Sequence, residues 1–137
     1  MVMAMEFWWE DETHTIMQMD IGLGTSWEEY HEVMDRLVCE VTAAEHGVYL
    51  IMQIMGNMPP GSPLPHLKLG IGKLGDIPNL SAVMVVGEQR MSVFGQKVIR
   101  LLVRLYGRDL PPNGGYYASL EEAQTAIARL RDSEKIT

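Results

Sequence analysis

The chain has a single cysteine, Cys39, among its 137 residues, so no disulfide can form within it. That usage suits a reducing cytoplasm and leaves burial and hydrogen bonding to hold the fold. Long apolar runs are also missing. Gly47 to Met52 and Ala82 to Val86 are the longest, far short of the ~20 residues a helix needs to cross a bilayer, so no membrane span is expected. Positive charge is scarce: 11 Lys and Arg against 18 Asp and Glu give a net charge of −7. Affinity for nucleic acid comes largely from Lys and Arg at phosphates, so no nucleic-acid partner is expected. Glu6, Glu10, Asp11 and Glu12 come early, and no basic region precedes an apolar stretch, so no signal peptide is expected.

Catalytic and metal-binding patterns are missing as well. His14, His31, His46 and His66 are scattered, none at zinc spacing with another ligand, and one cysteine cannot build a structural zinc site. No G-x-S-x-G elbow surrounds a serine. Cys39 falls in the body of a helix, where it is expected to act as a small hydrophobe rather than a nucleophile. Gly70-Ile71-Gly72-Lys73-Leu74-Gly75 matches G-x-G-x-x-G by letter. A dinucleotide fingerprint needs a strand before it and a helix opening within it. Here a proline-rich loop precedes it and Asp76-Ile77-Pro78 follows, so a helix cap or turn is the expected use of these glycines. The expectation is no catalytic residue, no cofactor and no metal.

What is present is an alternation of buried strands and amphipathic helices. At 47% hydrophobic and 21% charged, the composition is that of a globular protein, and the length is that of one domain over residues 1–137. Glu6 to Glu10 and Thr13 to Ile21 read as an N-terminal hairpin around Asp11-Glu12. Ser26-Trp27-Glu28-Glu29 is a capping box, with the Glu29 carboxylate expected to reach back to Ser26. Trp27, Tyr30, Val33, Met34, Leu37, Val38 and Val41 then form a helical stripe, and Gly47 is expected to end that helix in the left-handed conformation. Val48 to Met55 and Ala82 to Val86 have no polar face, as in strands covered on both sides. A short helix is expected over Pro65 to Leu74, an amphipathic one over Gln89 to Tyr106, a short strand at Tyr116-Tyr117-Ala118, and a last helix opening at Ser119-Leu120-Glu121-Glu122. The expected fold is α/β, a mixed, mostly parallel sheet with an N-terminal hairpin and helices packed on it, in the order β-β-α-β-(α)-β-α-β-α. Arg90, Lys97, Arg100, Arg104 and Arg108 collect on or beside the penultimate helix, as a solvated face or a docking surface for an acidic partner.

The 11 methionines stand out. Methionine fills irregular gaps and also builds adaptable binding surfaces. Core packing accounts for Met34, Met52 and Met84. Met55 and Met58 lie at the carboxyl end of a strand beside prolines, where an apolar pocket or partner surface is expected. Trp8 and Trp9 must point to opposite faces of their strand.

Trp9 before the turn, the Trp27 helix, strand Val48 to Met55, the proline-bearing loop, Ile77-Pro78-Asn79-Leu80-Ser81-Ala82-Val83-Met84-Val85-Val86-Gly87 and the closing Ser119-Leu120-Glu121-Glu122-Ala123 together resemble the STAS-like domains of the anti-sigma-factor-antagonist superfamily, in the small bacterial single-domain branch. The resemblance implies a non-enzymatic regulatory module that binds a partner protein or its own copy as a homodimer. In some branches it works through a phosphorylated Ser or Thr after the central strand. The corresponding stretch, Gly56 to His66, lacks the Asp-Ser-Ser-Gly type motif, and Ser62 is its one hydroxyl and thus the candidate phosphosite. Met55, Met58, Ser62, Leu64 and His66 form the candidate interaction surface. The alternative is a nucleotide- or lipid-binding protein that uses the same loop and Gly70 to Gly75.

Overall fold

A computed structural model describes residues 5–22, 24–54, 61–87, 97, 100, 101, 104 and 114–136. The protein is α/β. Strands β1 (Met5–Trp9), β2 (Ile16–Ile21), β3 (Val48–Ile54), β4 (Leu80–Gly87) and β5 (Gly115–Tyr117) form a five-stranded sheet in the order β1-β2-β3-β4-β5. β1 pairs antiparallel with β2, and every later pairing is parallel. Helices α1 (Trp27–Ala44) and α2 (Pro63–Gly75) connect β2 to β3 and β3 to β4, and α3 (Leu120–Ile136) follows β5. Successive parallel crossovers of one hand place their helices on one face of a sheet whose strands run in sequence order. α1 and α2 accordingly share one face, and α3 takes the other.

This layering explains the strands without a polar side. Val48, Leu50, Met52 and Ile54 of β3 face α1 and α2. Tyr49 and Ile51 face α3 with Ala82, Met84 and Val86 of β4. Met34, Met52 and Met84 are buried, as their core reading requires, and Met5, Met17 and Met19 join them. The unbranched thioether fills the uneven gap between helix and twisted sheet.

The hairpin is held by one side chain. Asp11 Oδ1 accepts the amides of Thr15 (2.8 Å) and Ile16 (3.1 Å). Oδ2 accepts the hydroxyls of Thr13 and Thr15 and lies 3.5 Å from the Arg131 guanidinium of α3. These bonds occupy the residues expected to start the second strand, so β2 begins at Ile16 rather than at Thr13. Trp9 packs on the α1 side while Trp8 is 38% exposed, so the two indoles do lie on opposite faces.

At the start of α1, Ser26 Oγ accepts the Glu29 amide at 3.0 Å. The Glu29 carboxylate, expected to return to Ser26, accepts the Met5 amide instead and ties the helix to the edge strand. Glu45, not Gly47, takes the left-handed conformation that ends α1, with φ 64°. Gly47 serves a close approach: a Cβ there would stand 2.8 Å from Ser81 Oγ. Asn79 Nδ2 donates to the carbonyls of Val41 and His46, clamping the end of α1 to the entry of β4. Cys39 is exposed on α1 rather than packed.

α2 is longer than Pro65 to Leu74, because Pro63 opens it at its first turn, where proline's missing N–H costs nothing. The glycine-rich letters lie inside this helix or at its last residue, with no preceding strand, and make neither a phosphate loop nor a turn. Gly70 has a packing role instead: a Cβ there would lie 2.0 Å from the Tyr30 hydroxyl oxygen, so its absence lets α1 and α2 close together. Lys97, Arg100, Leu101 and Arg104 are helical and exposed, and Arg100 lies over the Tyr116 ring at 5.0 Å. Arg90, Arg108 and the rest of the Gln89 to Tyr106 stretch lie outside the described residues. Ser119 caps α3 as expected, accepting the Glu122 amide.

Candidate functional site

In parallel α/β sheets, ligands and partners meet the protein at the carboxyl ends of the strands, where helices begin. α1 and α2 both start at that end, side by side. Their first turns hold Trp27, Tyr30 and His31 on α1 and His66 on α2. His31 Nε2 and His66 Nδ1 are 2.8 Å apart, a hydrogen bond between imidazoles 35 positions apart. The Trp27 indole stacks on the His66 ring, with centroids 4.5 Å apart and planes within 8°. Tyr30 meets Trp27 and His31 edge-on. Further along, one turn past His31 and two turns past His66, Lys73 Nζ of α2 pairs with Asp35 Oδ1 of α1 at 2.8 Å.

One imidazole must donate and the other accept in such a pair. The bond therefore survives one added proton but not two, which would set N–H against N–H. Burial holds the His31 pKa below its ordinary value, and the positive Lys73 and the neighbouring His66 lower it further, against an upward pull from Asp35. Burial likewise pushes the Tyr30 hydroxyl well above the usual phenol range. Trp27 Nε1 is buried with no hydrogen-bond partner among the described residues. Gly61 is its neighbour, in the chain leading to α2.

Of the residues expected to form the site, Met55 and Met58 lie outside the described residues. Ser62 is the N-cap of α2 and is exposed, with no cap hydrogen bond from its side chain. Leu64 is 48% exposed, and Leu69 further along α2 is 58% exposed. His66 is half-buried within the aromatic cluster. The fold thus brings His66 to His31 and Trp27, which lie 35 and 39 positions from it in the sequence. A signal was available. His31 is the fifth residue of α1 and His66 the fourth of α2, so two neighbouring helices starting at one level must place them at similar heights.

Chemically, the cluster offers an imidazole pair, an aromatic wall and exposed leucines. Among the described residues, no group of three or more His, Cys, Asp or Glu is placed to hold a metal ion. No described helix is long and apolar enough to cross a membrane. Two open grooves lie elsewhere. One of about 580 Å³ lies where β1 meets α1 and is lined by Phe7, Trp8, Trp9, Arg36 and Cys39. The other, about 800 Å³, runs along α3 past Glu122, Ala126 and Arg129.

Comparison with known protein families, with curated proteins and with solved structures finds no match to this chain.

Proposed function

We propose that this chain is a non-enzymatic, STAS-like regulatory module of the bacterial cytoplasm that docks a partner protein through α2 and the residues leading into it. The observation that carries the reading is the exposure of Leu64 and Leu69, at 48% and 58%, on the helix that closes over the Trp27–His66–His31 cluster. Leu64 and Leu69 stand five positions apart, about 140° around the helix axis, so a partner that wraps α2 covers both, and burial of each apolar side chain is a gain. Behind them the stacked rings and the Tyr30–Gly70 contact make a firm base, so docking orders little that is not already ordered. The sequence resemblance supports the same class of function. Ser62 fits it too: a phosphate on its exposed hydroxyl would meet the amino end of α2, where negative charge is favoured.

The test is affinity capture from source cells with the wild-type chain and with Leu64→Ala and Leu69→Ala, each shown to unfold at the wild-type temperature. The proposal expects a protein recovered by the wild-type chain and lost from both variants. Unchanged recovery by both would contradict it.

A further inference from the structure

The α3 side of the sheet carries polar residues that neither the docking surface nor the core uses. α3 crosses this face from Leu120, beside the end of β5, to Arg131, which donates to Thr15 just before β2. Its apolar footprint covers Tyr49, Ile51, Ala82, Met84 and Val86 and leaves out the carboxyl ends of β2 and β3. Side chains alternate between faces along a strand, so Glu6, Trp8, Gln18, Asp20 and Gln53 all lie on the α3 side, opposite Phe7, Trp9, Met17 and Met19. The register sets Glu6 opposite Asp20 and Asp20 beside Gln53 in one row, with Trp8 opposite Gln18 in the next.

Gln18 is the telling residue. It is 2% exposed. Its amide nitrogen donates to Asp20 Oδ1 at 2.8 Å and to Gln53 Oε1 at 3.4 Å, so both of its protons are used. Its amide oxygen is buried with no hydrogen-bond partner among the described residues. Turning the amide over would not help, because the oxygen would then face the Asp20 carboxylate. The two bonds fix the amide nitrogen toward Asp20 and Gln53 and so hold the carboxamide that carries the unpaired oxygen. Glu6 and Asp20 are like charges directly opposite on paired strands, an unfavourable arrangement, and no salt bridge among the described residues reaches either. The charged groups here are both carboxylates, and the orphaned amide oxygen lies beside them, with the Gln53 amide the one neutral donor of the row. Trp8, 38% exposed, adds an aromatic face that attracts cations.

We propose that this corner is a binding site for a small organic cation that donates N–H bonds, a guanidinium or a primary ammonium. It would approach across the half-buried Asp20 and Gln53, donate to Gln18 Oε1, and lie between Glu6 and Asp20 beside Trp8. Such a ligand supplies the positive charge the corner lacks and a donor for the Gln18 oxygen.

Thermal unfolding of the full chain at matched ionic strength tests this, with agmatine, spermidine and tetramethylammonium as probes. Agmatine, spermidine or both should raise the unfolding temperature saturably, because a ligand that binds the folded state stabilises it by mass action. Agmatine carries a primary ammonium as well as a guanidinium, so a shift with agmatine alone assigns the guanidinium, and a shift with both assigns the ammonium. Tetramethylammonium carries the charge without an N–H and should do nothing. Gln18→Met and Asp20→Asn should each weaken the effect at least tenfold, and Gln18→Met should be no less stable than wild type without ligand. Glu6 is exposed, so Glu6→Gln tests the charge without risk to the fold and should weaken binding severalfold. No shift with either amine, an equal shift with tetramethylammonium, or a shift that survives both Gln18→Met and Glu6→Gln would overturn the proposal.

Discussion

His31 Nε2 lies 2.8 Å from His66 Nδ1, so one hydrogen bond between two titratable rings joins the first turns of α1 and α2. Burial, Lys73 and His66 hold the His31 pKa below its ordinary value. The unfolded chain then binds more protons than the folded one as pH falls through the ordinary histidine range, and stability falls with it. Stability from this pair should be present above about pH 7 and lost on acidification below about pH 6. Thermal unfolding as a function of pH checks this: His31→Gln should flatten the wild-type decline across that window. An identical slope in the variant would dissociate His31 from the effect.

Gly70 and Tyr30 form a close approach between the same helices. A methyl group at Gly70 would overlap the Tyr30 hydroxyl, which is buried and cannot swing freely into water. Overpacking of this kind costs about 1–3 kcal/mol, partly offset by the up to about 1 kcal/mol that alanine gains over glycine in a helix. Gly70→Ala should therefore lose about 1–2 kcal/mol in urea unfolding. The double variant Gly70→Ala with Tyr30→Phe should recover part of it, since removing the hydroxyl relieves the shortest contact.

Asp11 predicts a second acid dependence. Burial raises its pKa, but the hydroxyls of Thr15 and Thr13 and the amides of Ile16 and Thr15 outweigh burial and hold it well below the usual carboxylate range. A depressed folded pKa means that the stabilisation is complete above the unfolded value and fades as pH falls below it. Asp11→Asn should cost about 1–3 kcal/mol at neutral pH. The gap to wild type should narrow below about pH 4, where the wild-type carboxyl begins to lose its advantage. Chemical denaturation at the two pH values measures both numbers.

Much of this fold was legible because burial writes itself into residue pattern. β3 and β4 could be read as two-sided strands from the apolar runs Val48 to Met52 and Ala82 to Val86, and α1 from its stripe and Ser26 cap. What escaped depended on long-range partners. Nothing local says that Glu29 bonds Met5 or that Glu45 rather than Gly47 bends left-handed. Gly70 to Gly75 carried a misleading local pattern, since one glycine's real partner, Tyr30, lies 40 residues away. In the candidate site, Ser62, Leu64 and His66 were found from the loop's position. His31 and Trp27 were not, because their relation to His66 exists only once the two helices lie side by side. Gln18 looks locally like any polar residue between two methionines, and its burial in the fold is what leaves its oxygen unsatisfied.

The central claim is that α2 is a docking surface. The most direct measurement is photo-crosslinking in source cells, with a photoreactive residue placed at Leu64, at Leu69 or, as a control, at the exposed Arg129 of α3. The account predicts one discrete protein adduct formed from both Leu64 and Leu69 and absent from Arg129. No adduct at the leucines, or the same adducts from all three positions, would contradict it.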